Sequence, residues 1–289
     1  LVVVLTILIS LFMVFSIYGQ NISQNNEMRK SLDFMFEHLD RNSVPKGLLR
    51  DYAVEYEDLD LFSGEVPLED DNVGTIIRFG NLLKTISSSA VKEDPIKSFE
   101  GTIHNYKKQK KTGELTLGIM LYEYARIKAN ALTDGLIRYE NGQVYNTNKD
   151  ESPYQLEYAF AGSCLESSIQ QSNVTFTLPS SFLLTNCDIK KIEIDFGAGF
   201  RSINPDKPVN ASLNEGINKL IIRTTWQNGQ ILSAHTIVHV EDLTSHPQTR
   251  AIIDSDSLIA HYSTTIQGQN YGGISTSAEV TISYAPGNY

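Results

Sequence analysis

From about residue 155 the sequence settles into short runs in which apolar and polar residues alternate one by one. That period restricts the fold more than any other feature. "NVTFTL" (173–178), "KKIEIDF" (190–196), "NKLIIRTTWQNG" (218–229) and "ILSAHTIVHVED" (231–242) all follow it, with Gly, Asn or Pro between them. A period of two sends successive side chains to opposite faces, so each run reads as a strand with one buried face. Several such strands in succession, separated by turn residues, imply an antiparallel β-sandwich. Asn228-Gly229 is a hairpin signal within it.

Upstream the pattern is mixed. "EMRKSLDFMFEHLD" (27–40) puts Met28, Leu32, Met35, Phe36 and Leu39 on one helical face, and "RNSVPKG" ends it. Residues 48–65 read as an extended segment. Asp70, Asp71 or Asn72 is then placed to cap a second helix through "GTIIRFGNLLKTISSSAV". A third short helix or loop follows Pro95. In "ELTLGIMLYEYARIKANAL" (114–132), Leu115, Leu117, Ile119 and Leu121 alternate with Thr116, Gly118, Met120 and Tyr122, which argues strand. The distal half suits helix equally by propensity. Asn141-Gly142 marks a hairpin and "NTNKDESP" a linker. After a break at "LTSHPQTR", the strands "SLIAHYSTTI" and "SAEVTISYA" begin a third region.

The expected fold class is therefore multidomain α+β. A mixed α+β region spans 20–150, a β-sandwich 155–242, and an incomplete further β-rich domain 246–289. Residues 1–19 are uncharged and apolar and give way abruptly to "QNISQNNEMRK". They read as a secretory signal peptide with Gly19 before the cut, the rival being a membrane anchor. Either way the chain is expected outside the cell, touching a membrane only through that segment if it is not cleaved. With a net charge of -10, nucleic acid is not an expected partner. The basic cluster at Lys107, Lys108, Lys110 and Lys111 reads as a solvated helix end or turn.

Export makes Cys164 and Cys187, the only cysteines, a candidate disulfide that would contribute about 3 kcal/mol; the alternative is two separately buried thiols. In "DFGAG", Asp195 is placed to hydrogen-bond the turn, and Gly197 and Gly199 to supply backbone freedom. One carboxylate is too few for calcium, which takes about 6–8 oxygen ligands. His235 and His239 are four apart, but on a strand that separates them by about 13 Å, so they read as exposed edge or outer-face positions rather than ligands of one ion. Gly-x-Ser-x-Gly and phosphate-loop patterns are absent, although "FAGSCLESS" and "YGGISTSAE" come near the first. Two acidic clusters remain, Glu55, Glu57, Asp58 and Asp60, and Glu69, Asp70 and Asp71. Their readings are solvated surface, cation binding or catalysis. Tyr52, Tyr56 and Phe62 suit either a sugar-stacking platform or a half-buried core. These residues single out no catalytic, cofactor-binding or metal-binding group, and no cofactor is expected.

"IEIDFGAGF", Gly216 onward and the strand Ile231–Val240 together resemble a polycystic-kidney-disease (PKD) domain, an immunoglobulin-like sandwich of surface and secreted proteins. The resemblance covers about residues 170–242. Ala198 stands where the family has a second turn aspartate. The segments "FMFEHLDRNSVPKGLLRDYAVEYEDLDLFSG" and "SPYQLEYAFAGS" with the sandwich after them resemble, more loosely, the N-terminal part of large exported Bacteroidetes-type proteins, cargo of type IX secretion. These resemblances imply an exported, surface-associated, non-catalytic structural or interaction module. The alternatives are an accessory segment of a secreted hydrolase whose catalytic domain lies beyond residue 289, or a module that binds an extracellular glycan or protein partner.

Overall fold

The computed structural model describes residues 26–92, 114–147, 151–226, 229–241, 260–267 and 277–284. Residues 1–19, the lysines at 107–111 and Asn228 lie outside them. The chain divides into two compact units, Leu1–Glu241 and Asp242–Tyr289. The fold is β-rich α+β, with two helices and several sheets among the described residues.

Helix α1 spans 26–35 and α2 spans Ile76–Ser88. Phe36 and Leu39, just past the end of α1, are buried, whereas Met28 is exposed. The cap of α2 is Thr75, whose hydroxyl accepts the Arg78 N–H at 3.2 Å, and not one of residues 70–72. Those three form a 3-10 turn closed by the Glu69 N–H on Asn72 Oδ1 at 3.0 Å. The helix starts late because residues 73–74 are held extended against another strand, as described below. The expected extended segment at 48–65 is instead broken by 3-10 turns at Arg50–Tyr52 and Asp60–Phe62.

Twelve strands follow among the described residues of the first unit. They are β1 Glu114–Ile127, β2 Ile137–Glu140, β3 Gln143–Asn146, β4 Tyr154–Cys164, β5 Ser168–Ile169 and β6 Asn173–Thr177. Next come β7 Leu183–Thr185, β8 Ile189–Asp195, β9 Phe200–Ser202, β10 Val209–Ser212, β11 Gly216–Trp226 and β12 Ile231–Val240. Strands β2 and β3 turn on Asn141 (φ 52°) and Gly142 (φ 81°), the two left-handed residues that a type I′ hairpin requires.

One five-stranded sheet has the order β10-β6-β1-β4, with β7 also beside β1; the other runs β5-β12-β11-β8-β9. The two share a core. From the first sheet come Leu115, Leu117, Ile119, Leu121, Phe160 and Phe176, and from the second Ile194, Leu220, Ile222 and Leu232. The alternation in β1 thus points one set of side chains at the second sheet. The other set is buried too. Met120, Tyr122 and Tyr124 pack with Phe79, Leu82, Leu83 and Ile86 of α2 and with Leu48, Leu59 and Phe62. Ala125 joins a third cluster with Phe36, Leu49, Tyr52 and Tyr154.

Strand β1, from the 20–150 region, pairs along its length with β4, from 117↔164 to 127↔154, and shares the core of the sheets that follow. Among the described residues, the apolar faces of β1 and of the strands after residue 151 are completed by one another.

A strap closes the outer edge of β12. The Ser233 N–H donates to Gly64 O at 2.8 Å, and the Gly74 N–H to His235 O at 2.7 Å. Thr236 Oγ1 donates to Gly74 O at 2.6 Å and accepts the Cys164 N–H at 3.3 Å, which ties the strap to β4 as well. Further along, β5 takes over the edge at Ser168 and Ile169. Residues 64–74 therefore occupy backbone groups that an open sheet edge would leave unpaired. In the second unit, β13 (Ala260–Gln267) and β14 (Ser277–Tyr284) form an antiparallel pair.

The strap lies so close that a Cβ on Gly74 would stand 1.8 Å from Gly162 O and 3.0 Å from His235 O. Both obstacles are backbone and neither can swing aside. Gly74→Ala is expected to lower stability by about 2–3 kcal/mol, read as a lower urea midpoint. An unchanged midpoint would show that the strap is not packed against β4 and β12 in this way.

Candidate functional site

The Asp195 turn follows directly from the end of β8. Asp195 Oδ1 accepts the N–H of Gly197 at 2.7 Å and of Gly199 at 2.8 Å. Both glycines have left-handed backbones, φ 99° and 95°, which other residues adopt only with strain. The turn sends Phe196 inward onto Phe176, ring centroids 4.6 Å apart. Arg201 of β9 lays its guanidinium over the Phe196 ring at 4.8 Å and donates to Asn210 O of β10 at 2.9 Å. Beside the turn lies an open cleft of about 670 Å³, lined by Ala198, Phe196 and Arg201 on one side and by Asn173, Thr175, Asn210 and Ser212 on the other. The polar side chains on that second wall are cross-linked: Thr175 Oγ1 donates to Asn210 Oδ1 at 2.9 Å and Ser212 Oγ to Asn173 Oδ1 at 2.8 Å.

Cys164 and Cys187 do not join; both are free thiols. Cys164 pairs with Leu117 on one edge of β1, whereas Cys187 lies two residues past Thr185, which pairs with Leu121 on the other edge. Four residues along a strand is about 13 Å, against the roughly 4.4–6.8 Å between Cα atoms that a disulfide spans. Burial pushes the Cys164 thiol well above its ordinary pKa, so it is held protonated and inert.

The first acidic cluster surrounds a cation. Arg50 bonds Asp60, and it reaches Glu55 at 3.1 Å, Asp58 at 3.4 Å and Glu157 of β4 at 3.8 Å. Arg126 of β1 approaches Glu157 at 3.6 Å and Asp60 at 3.8 Å. Burial pulls the Arg50 pKa down, but the Asp60 bond and the surrounding negative charge outweigh that and raise it. The Arg50 bond in turn holds Asp60 below the usual carboxylate range. The network fastens residues 50–60 to β1 and β4. Glu57 stands apart, 3.8 Å from Arg78 of α2, and burial raises its pKa.

The remaining candidates disperse. Tyr52 is buried under Arg29, 4.0 Å from its ring, in the third cluster, and Phe62 is buried in the second; Tyr56 is exposed, so the three make no common platform. Ser163 is buried and its hydroxyl donates to Cys164 O at 2.9 Å. Gly273 and Ser275 lie outside the described residues. His239 is exposed as expected, but His235 is 1% exposed, because the strap covers it. Its Nδ1 has no hydrogen-bond partner among the described residues.

Sequence reasoning singled out none of Arg50, Arg126, Glu157, Arg201 and Asn210. Arg50 and Glu157 are more than a hundred positions apart, and no local pattern joins them.

Arg50→Met removes the cation from the acidic cluster. Because Arg50 is largely buried and its partners are half exposed, the cost is expected to be about 1–3 kcal/mol, between that of an exposed and a buried pair. Arg50→Lys, which cannot fork across several carboxylates, should recover only part of it in urea denaturation. For His235, burial pulls the pKa from 6.5 to about 4, with Lys219 adding and Asp70 opposing. The unfolded chain takes up that proton near pH 6.5 and the folded one only near pH 4, so this contribution to stability is lost as pH falls through that window. His235→Phe should therefore close some of its gap to the wild type between pH 7.5 and pH 4.5. Parallel pH curves would mean that His235 is not buried neutral.

Comparison of the chain with protein-family models, with characterised proteins and with solved structures gives no match.

Proposed function

We propose that the first unit is a rigid, non-catalytic structural and interaction module of an exported surface protein, built on a PKD-like, immunoglobulin-like sandwich. The observation that carries this reading is the use made of the charged groups best suited to chemistry. Glu55, Asp58, Asp60 and Glu157 gather on Arg50 from three chain segments, where they join the N-terminal segment to the sheets. The same joining recurs in apolar form, since β1 lies in the core of the two sheets and also under α2. A module stiffened in this way suits spacing or presenting other parts of a protein. The two facing sheets, with a Gly-rich turn after β8 held by Asp195, support the PKD-like assignment. The apolar run at 1–19 supports export.

Rigidity is tested by urea unfolding of the full chain. Fluorescence of Trp226, the only tryptophan, reports the second sheet, and hydrogen exchange of residues 48–86 reports the N-terminal segment. One shared midpoint is expected; two separate midpoints would count against a single module. Export is tested by N-terminal sequencing of protein recovered outside producing cells, which should begin at Gln20. Turnover of ester, glycoside or peptide substrates that disappears on substitution of Glu57 or the Arg50 cluster would overturn the non-catalytic reading.

A further inference from the structure

The two long sides of the paired sheets are built differently. On the side of β12 the edge is closed by the strap at 64–74 and by β5. On the opposite side each sheet ends in a short strand, β10 in one and β9 in the other, and the cleft at the Asp195 turn opens between them. The Leu213 N–H, just past β10, donates to Ser172 O on the β6 side at 2.8 Å. Backbone groups alternate along an extended chain, so the N–H and C=O of Asn210 and Ser212 face the open edge. Arg201 marks this direction, because it reaches Asn210 O from β9. Among the described residues Arg201 is also the one charged residue lining the cleft, and no carboxylate lies within 4 Å of its guanidinium.

We propose that this open side binds an extended segment of a partner polypeptide, which adds as a strand to β10 and places an acidic side chain on Arg201. The spacing of the available groups selects such an occupant. Asn210 and Ser212 present outward N–H and C=O groups about 6.8 Å apart, the repeat at which a neighbouring strand presents its own, and the Asn210 carbonyl, which already accepts from Arg201, has a second lone pair to share. Ala198 keeps the facing wall low, with an exposed methyl where a larger side chain would fill the cleft. The cross-linked pairs Thr175–Asn210 and Asn173–Ser212 brace β10 against β6, so the edge is held straight before anything docks. A glycan would engage the same amides and hydroxyls but would have no use for two in-line backbone pairs. This inference names the partner class for the interaction half of the proposed function. The rigidity and export tests above decide the rest of that proposal independently.

The test is a displayed library of random eight-residue peptides selected on the full chain, with enriched sequences resynthesised and titrated. Enriched peptides are expected to carry Asp or Glu among β-prone residues. Their binding should slow amide exchange at Asn210 and Ser212. Ala198→Trp, at an exposed turn position, should weaken them at least tenfold, as should Ser212→Pro, which removes an outward N–H that β6 does not use. Arg201→Glu should abolish the preference for acidic residues. Circular dichroism and the urea midpoint of each variant separate loss of binding from loss of fold. The proposal is overturned if no peptide enriches, or if bound peptides leave the Asn210 and Ser212 amides unprotected. It is equally overturned if a glycan array binds at this cleft, or if the chain dimerises through β10 in place of peptide.

Discussion

Strand β1 has no face or edge turned to solvent along most of its length, and the rest of the unit is arranged around supplying what it needs. Leu115, Leu117, Ile119 and Leu121 require the second sheet, and Met120, Tyr122 and Tyr124 require α2. One edge is satisfied throughout by β4. The other edge is served in relay. It meets β6 at 114–116 and β7 at 119–121, then the Asn186 side chain, which accepts the Glu123 N–H and donates to its carbonyl, each at 2.8 Å. The Ala125 N–H next goes to Leu48 O at 2.8 Å, and the Ile127 N–H to the Asp51 carboxylate at 2.8 Å. A buried N–H left without an acceptor costs on the order of 1–3 kcal/mol, so four segments, β4, β6, 183–186 and 48–51, are held in place by one strand's hydrogen-bonding demand.

The charged network belongs to the same arrangement. Arg50 sits beside the point where residues 48–51 meet β1, and its carboxylate partners come from the 55–60 segment and from β4. Burial raises the pKa of Asp51, while the Ile127 bond works against that. The ionic and backbone interactions therefore fix one junction, the seam between the N-terminal segment and the first sheet.

What can be read from the sequence divides by range. The hairpin at Asn141–Gly142 and the inward alternation of Leu115 to Leu121 are local, and residue type with spacing suffices for them. The second buried face of β1 is not local. Met120 and Tyr122 read as the polar-side half of an alternating strand, and α2 with Leu48, Leu59 and Phe62, some forty to seventy positions earlier, makes them core. The boundary near 150 is read from the polar run "NTNKDESP", which is equally local. His235 reads as exposed because its strand alternates, whereas the strap that buries it comes from residues 64–74. The two cysteines look like partners by count alone, and only the register of β4 and β7 on opposite edges of β1 separates them.

The relay along β1 has a consequence for how the chain is made. Its last backbone partner, Thr185, follows Ile127 by 58 residues, and the second sheet that covers Leu115 to Leu121 is finished only at Val240, 113 residues after Ile127. At about 5–20 residues per second, translation leaves this fourteen-residue strand with an incomplete neighbourhood for roughly 6–23 s. The nascent protein is most exposed to aggregation in that interval, and a ribosome-associated holdase would find its natural binding site on residues 114–127.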